Sequence, residues 1–521
     1  MGTTGVAAMN LVLALAALLL LHQLARWRYR LPARRLADDA PPLPPLPPPP
    51  PDAARHPGLT GIHALDDPFQ AFAARVLMIR RARVSLDVQY YIWHNDISGK
   101  LLLDELRKAA DRGVRVRLLL DDNGIAGLDP VLAAFAAHPL ISVRLFNPFV
   151  IRRPKAIGYL LDFRRLNRRM HNKSLTADGQ FTNLGGRNIG DEYLGASEQS
   201  LFADLDVFAA GAAVADVAAS FESYWQAESV WPAQQFLAPD EEGLKRFAEQ
   251  IAALWQSPVA RDFAEAVEKG VAQQLLAGDV ALEWVPATLF SDDPAKGLGD
   301  IAEERLVGPR LAAAIGEPHD ELAAVSAYFV PTDAGIAAFA AMAARGTRVQ
   351  VMTNALRAND VAMVHAGYAP ARKPLLRAGV RLWEMKGTDP AKPARLRFRR
   401  RPEQQAGTIF RSSGSALHAK TFAIDRRRIF VGSFNFDPRS VRLNTEMGLV
   451  IDSPALAGRL QAMFDGDIAA IAYEVRLRDG RLVWAEATEA GEIIHTSEPG
   501  TGPVQRLVMA LLSHLPVKWL L

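Results

Sequence analysis

The pattern of apolar and polar positions changes character three times along the chain. Val6–Leu21 is an uncharged, leucine- and alanine-rich run of 16 residues, reaching 20 through Ala25, and about 20 apolar residues carry a helix across a bilayer. Arg26, Arg28, Arg30, Arg34 and Arg35 stand behind it with Trp27 and Tyr29 among them, and no basic residue precedes it. That asymmetry predicts an anchor with the arginines and everything after them in the cytoplasm. A cleaved signal peptide is the competing reading, although such a segment carries its charge in front. Residues 41–51 then read PPLPPLPPPPP. Nine prolines in eleven positions exclude helix and central strand and favour a polyproline spacer of roughly 30 Å.

From about residue 57 the pattern is that of an α/β body. Val84–Trp93 is strand-like, Leu101–Ala110 has helical periodicity, and Arg112-Gly113-Val114-Arg115-Val116 leads into an apolar strand at Leu118–Leu120. The sequence repeats this grammar with Ala324–Pro331, Ile336–Ala344, Arg345-Gly346-Thr347-Arg348-Val349 and Gln350–Met352. Strand, helix, strand implies parallel pairs with helical cover. The expectation is an α/β fold of two similar lobes, each a mixed sheet flanked by helices. The divisions fall at residues 1–52 for anchor and stalk, 53–295 for the first lobe and 296–521 for the second.

Composition narrows the chemistry. With 521 residues, 49% hydrophobic and 22% charged, the chain is neither globally disordered nor many-spanning. The absence of cysteine removes disulfides, thiolate metal sites and a cysteine nucleophile. A net charge of +3 from 60 basic and 57 acidic residues means that any preference for anions is local.

One eighteen-residue pattern occurs twice. His171-Asn172-Lys173 runs to Asp178 and, after six intervening residues, to Gly185-Gly186-Arg187-Asn188; His418-Ala419-Lys420 runs to Asp425 and, after six more, to Gly432-Ser433-Phe434-Asn435. His, Lys, Asp, Gly and Asn recur at identical offsets. Residues two apart on a strand share a face, so His171 pairs with Lys173 and His418 with Lys420. Asp178-Gly179 and Asp425-Arg426 read as hairpin turns, with return strands at Phe181–Leu184 and Arg428–Val431 that bring Asn188 and Asn435 back towards the histidines. Two facing lobes would form a cage of two imidazoles, two ammonium groups and two amides around a tetrahedral anion. His-x-Lys is a poor ligand pair, and no His/Asp/Glu cluster at metal spacing stands elsewhere, so no metal or other cofactor is expected.

These motifs resemble the phospholipase D superfamily, in which H-x-K-x4-D followed by G-S-x-N occurs twice per active site. Ser326–Pro331, Thr353–Tyr368 and the ending Leu515–Leu521 resemble the bacterial cardiolipin synthases of the C type, and the likeness covers nearly all of 57–521. It implies a shared site with His171, Lys173, Asp178, His418, Lys420 and Asp425 as the catalytic motif residues. His171 is the expected nucleophile and His418 the acid/base, with the reverse left open by the near-symmetry of the halves. Lys173, Lys420, Asn188 and Asn435 would hold the phosphate oxygens. Each histidine needs a carboxylate on its other nitrogen. The family places an acid downstream of each motif, and Glu446 fits the second and Asp204 the first, with Asp206 as rival. Asp178 and Asp425, at turns, read as mainly structural. Gly186 departs from the usual serine, removing a hydroxyl expected near the phosphate.

The implied activity is phosphatidyl transfer, making cardiolipin from phosphatidylglycerol and a second phospholipid through a phosphohistidine. Phospholipase D hydrolysis and a nuclease compete with it, the nuclease disfavoured by the anchor and by the lack of an extended basic groove. Expected partners are anionic phospholipids and the surface of the inner (cytoplasmic) membrane, with no nucleic acid. Arg164, Arg165, Arg168 and Arg169 before the first motif, and Arg395, Arg397, Arg399, Arg400 and Arg401 before the second, read as headgroup contacts. Gly158–Leu161 is a candidate for acyl contact, and the apolar stretch Val504–Leu521 is either an interfacial segment or core. His94 reads as a surface residue and His365 as a possible substrate contact.

Overall fold

The structure, a computed structural model, describes residues 3–35, 44–197, 201–277, 281–299, 301–359, 361–387 and 416–514. The arginines at 395–401 and the ending 515–521 lie outside the described residues. The first lobe contributes β1 (Thr60–Leu65), β2 (Ser85–Ile92), β3 (Arg115–Gly124), β4 (Ile141–Phe146), β5 (Ser174–Ala177), β6 (Phe181–Gly185), β7 (Phe202–Ala203), β8 (Asp206–Gly211), β9 (Val230–Pro232) and β10 (Glu283–Val285). All but β7 form one sheet in the order β10-β1-β8-β6-β5-β2-β3-β4-β9. After Pro286 the chain enters a second sheet. Its strands are β11 (Ala287–Ser291), β12 (Glu321–Ser326), β13 (Arg348–Asn354), β14 (Arg381–Met385), β16 (Lys420–Ile424), β17 (Arg428–Gly432), β18 (Met447–Ile451), β19 (Ala472–Arg478), β20 (Arg481–Thr488) and β21 (Gly491–His495), and a short β15 (Ala416–Leu417) stands outside it.

In both sheets three central strands run parallel, β2-β3-β4 and β12-β13-β14. They are joined by helices such as Ile97–Asp111 and Asp333–Ala344, as the repeated strand-helix-strand pattern requires. A hairpin lies antiparallel beside each set, β5–β6 on β2 and β16–β17 on β12. The start of each hairpin therefore lies at the C-terminal end of the parallel strands. One apolar cluster takes Leu184 and Val207 from the first sheet and Val325, Met352, Val431 and Met447 from the second. The two sheets thus bury their facing sides against each other, and the motifs are brought together by the same burial that holds the lobes.

Asp178 (φ 53°) and Asp425 (φ 51°) close the hairpin turns. The Asp178 carboxylate accepts backbone N–H bonds from Arg83, Val84 and Ser85 at 2.8–2.9 Å. Asp425 accepts them from His319, Asp320 and Glu321 at 2.8–3.1 Å. Each aspartate staples its hairpin to the start of the neighbouring parallel strand. It stands seven positions along an extended chain from the motif histidine, roughly 20 Å at the strand rise. Both sit away from the cage.

The proline segment does not stand clear of the body. Arg34 donates to the Val230 carbonyl (2.8 Å), at the C-terminal end of β4, while the Pro48 carbonyl accepts from Gln180 in the β5–β6 turn, at the opposite end of the sheet. A polyproline strand has unpaired carbonyls, and here a side chain of the first lobe uses one. Helix Thr3–Arg28 is the one described helix long and apolar enough to cross a membrane, with none of Asn10–Arg28 buried.

Candidate active site

The histidines are fixed by backbone bridges between the lobes. His171 N–H donates to the Thr445 carbonyl and Thr445 N–H to the Arg169 carbonyl, both at 2.9 Å. On the other side β15 pairs with β7, and the N–H groups of His418 and Ala419 donate to the Ala203 carbonyl at 2.8 and 3.0 Å. Each motif is thereby laid beside the acidic segment of the opposite lobe. The carboxylates are accordingly crossed: His171 Nδ1 bonds Glu446 (2.8 Å) and His418 Nδ1 bonds Asp204 (2.6 Å). This corrects the in-lobe pairing expected from sequence, which had no way to see which strand docks beside which motif. Asp206, the rival acid, is engaged by Arg75 (2.8 Å) and by the Arg187 N–H (3.1 Å).

The remaining motif residues repeat each other's roles. Lys173 Nζ donates to the His171 carbonyl at 2.6 Å, and Lys420 Nζ to the His418 carbonyl. Asn188 accepts the Ile92 N–H (3.2 Å) and Asn435 the Tyr328 N–H (3.4 Å), each amide oxygen being held by the end of a parallel strand. The buried Asn188 Nδ2 has no hydrogen-bond partner among the described residues. Tyr91 lies edge-on to His171 and Tyr193 to His418, both with ring centroids 5.0 Å apart. Sequence reading missed these tyrosines, which have no motif offset; Tyr91, at the end of a recognisable strand, had the stronger signal.

Electrostatics bind the two halves into one site. Burial, then the charges of Lys173 and Lys420 and the second imidazole, hold His171 well below its ordinary value. Burial, with Lys420 and Lys173 among the other causes, lowers His418. The His171 ring is therefore neutral near pH 7, whereas at His418 the charge and hydrogen bond of Asp204 oppose the fall. Burial pushes Lys173 down to about 7 and Glu446 up to about 7. Burial also pushes Asp204 upward, but His418, Lys420 and Arg187 outweigh it and leave this carboxyl at about 2.

These values set the pH response. Glu446 is raised, so the acceptor for His171 Nδ1–H is lost as pH falls through about 7; Lys173 is lowered, so its charge is lost as pH rises through about 7. A pH series of kcat/KM, which reports the free enzyme, should give a narrow maximum near 7. Glu446→Gln should remove the acid limb, and a flat profile from pH 6 to 9 would contradict these assignments.

Gly186 acquires a different meaning from the one its sequence suggested. A Cβ at Gly186 would lie 2.1 Å from Asp204 Oδ1, and one at Gly185 would lie 2.3 Å from Asp206 Oδ1. The two glycines make room for the two aspartates. At the equivalent place in the second lobe, the Ser433 hydroxyl donates to Glu446 Oε2 at 2.5 Å. That hydroxyl is engaged by the carboxylate. Gly186→Ala should displace Asp204 from His418 and cut kcat by about 10²-fold, the cost of an ångström-scale misplacement. An unchanged kcat in a folded variant would refute that role.

Several other expectations change. Arg169 is buried against Asp121 (2.8 Å) and Arg165 pairs with Asp162 (2.6 Å), because a buried guanidinium needs a carboxylate; Arg164 is exposed. His365 is buried beside Glu498 and Arg372, which makes it a structural residue. His94, Asp96 and Glu192 do form a cluster of metal-ligating types, assembled from distant parts of the chain. The Asp96 oxygens already accept the N–H groups of Gly99 and Asp191, and His94 pairs with Glu192 at 3.1 Å.

Two mixed sheets presenting a pair of His-x-Lys motifs at one junction define a phospholipase D-type protein. The family described as cardiolipin synthase, PLD-like domain, matches residues 76–225 and 311–468. The chain is 46% identical over 477 residues to cardiolipin synthase C of Escherichia coli (strain K12), covering 90% of this chain and 98% of that one. It is 26% identical over 424 residues to cardiolipin synthase A of Pseudomonas fluorescens (strain SBW25), covering 81% and 71%. Its fold is similar to that of phosphatidylserine synthase from Haemophilus influenzae Rd KW20, with a TM-score of 0.55, 16% identity and coverage of 90% and 99%. The chain belongs to the cardiolipin synthase family of phospholipase D-like proteins.

Proposed function

We propose that the chain is a phosphatidyltransferase that makes cardiolipin from phosphatidylglycerol and a second phospholipid, acting through a phosphohistidine. The observation that carries this reading is the crossed pairing of His171 with Glu446 and His418 with Asp204, which makes two half-sites into one. His171 attacks phosphorus, the bond from phosphorus to the headgroup oxygen breaks, and His418 supplies the proton that the leaving alcohol takes. His418 then removes the proton from the incoming glycerol hydroxyl, whose oxygen attacks phosphorus and frees His171. Splitting the displacement in this way is nucleophilic catalysis. Lys173, Lys420, Asn188 and Asn435 stabilise the charge that builds on the non-bridging oxygens.

The contrast between the two carboxylates supports this division of roles. Asp204, at about 2, stays ionised beside His418 and favours an imidazolium there. Glu446, at about 7, offers His171 a weaker counter-charge, which suits a ring that must attack while neutral. The N-terminal helix, followed by its arginines, anchors the body to the cytoplasmic face of the inner membrane. Purified protein incubated with phosphatidylglycerol, with and without phosphatidylethanolamine, should yield cardiolipin resolved by mass. Phosphatidic acid as the sole product would favour hydrolysis instead.

A further inference from the structure

Two described helices expose apolar side chains near the end of the parallel strands at which the cage lies. Helix Ala156–Leu166, interrupted at Asp162, leaves Leu160 76%, Phe163 43% and Ile157 42% exposed. It follows β4 and ends five residues before His171. Helix Pro503–Ser513 exposes Val504, Leu507, Val508 and Leu511, a stripe at helical spacing. It packs on helix Ala362–Tyr368, which follows β13. β4 and β13 are parallel strands of the two sheets; Ala156–Leu166 follows the C-terminal end of β4, and Ala362–Tyr368, on which Pro503–Ser513 packs, follows that of β13, the ends where His171 and His418 also lie. The stripe on 503–513 excludes the core reading of that segment.

The anchor indicates what covers these side chains. His22 Nε2 lies 3.1 Å from the Leu160 carbonyl, so Leu160 is level with residue 22 of the anchor. That is about 6 Å further into the apolar run than Arg26, at 1.5 Å per residue. A span whose arginines sit at the headgroups therefore places Leu160 at the acyl boundary. Exposed Arg153 and Arg164 flank it, with charge suited to anionic headgroups. The helix is also tied to the cage. Tyr159 OH donates to Asn123 Oδ1 (2.9 Å) and Arg439 donates to the Asn167 carbonyl (2.9 Å), four residues beyond Asn435.

We propose that the face on which the cage opens lies on the bilayer, with helices Ala156–Leu166 and Pro503–Ser513 inserted at the headgroup–acyl boundary, one from each lobe. This rests on the lipid-transferase reading. The lipid phosphate then rises a short distance into the cage while its acyl chains remain in the membrane, and the basic residues at the lip favour anionic lipids. The body is thus bound to the membrane by its own surface as well as by its anchor.

The chain has no cysteine, so single introduced thiols report cleanly. Full-length Leu160→Cys, Phe163→Cys and Leu507→Cys would carry an environment-sensitive fluorophore in vesicles of phosphatidylglycerol and phosphatidylethanolamine. Arg345→Cys, exposed in the turn before β13, serves as reference. The first three labels should be blue-shifted and quenched by lipid-borne nitroxide, and Arg345→Cys only by soluble iodide. Leu160→Ser with Leu507→Ser should lower turnover of bilayer phosphatidylglycerol by about tenfold or more, the scale of withdrawing two apolar side chains from lipid. Turnover of a short-chain monomeric phosphatidylglycerol should stay within about twofold, since the cage is untouched. Labels at 160, 163 and 507 that read water like the label at 345 would overturn the docking while leaving cardiolipin synthesis standing. Inserted labels without any lipid product would instead overturn the transferase reading.

Discussion

Replacing either His171 or His418 with alanine is expected to abolish cardiolipin formation, with kcat falling by about 10⁴-fold or more. Each lobe retains its own lysine and asparagine in such a variant, so two independent sites would leave half of the activity. The crossed bonds exclude independence. His171 depends on Glu446 and on the Thr445 backbone of the second lobe, and His418 on Asp204 and Ala203 of the first. The double variant should be scarcely worse than either single one, because residues acting as a unit are grossly non-additive. Steady-state turnover of phosphatidylglycerol checks this, and half-activity in either single variant would refute it.

Asp204→Asn and Glu446→Gln should each cost about 10²–10⁴-fold on phosphatidylglycerol, the range for disabling acid–base or nucleophile orientation. They should differ on a phosphatidyl ester of nitrophenol. That leaving group needs no proton, so Asp204→Asn, which impairs His418 as an acid, should recover much of the first step and show a burst of nitrophenol. Glu446→Gln impairs the attacking ring and should be equally slow on both substrates. Pre-steady-state absorbance distinguishes them. A burst in Glu446→Gln and none in Asp204→Asn would reverse the roles of the histidines.

Much of this was legible in the sequence because it is local. The His-x-Lys faces, the hairpin turns at Asp178 and Asp425, and the return of Asn188 and Asn435 follow from strand and turn geometry within eighteen residues. The carboxylate pairing was not legible, since it joins residues 275 and 214 positions apart and depends on how two buried faces dock. The choice between Asp204 and Asp206 was equally hidden, because alternate positions along an extended chain look alike. Gly185-Gly186 held the clue, one glycine for each aspartate, but its meaning needs the third dimension. Arg169 and His365 misled for a related reason: a charged or imidazole side chain near a motif reads as a ligand contact until its buried carboxylate is seen.

The most direct test of a single shared site is the stoichiometry and position of the covalent intermediate. Full-length protein turning over phosphatidylglycerol, quenched in denaturant within the first turnover and digested, should carry no more than one phosphatidyl group per chain. That group should lie on the peptide containing His171, and His418→Ala should fail to turn the adduct over. Two adducts per chain, one on each histidine, would contradict the shared site.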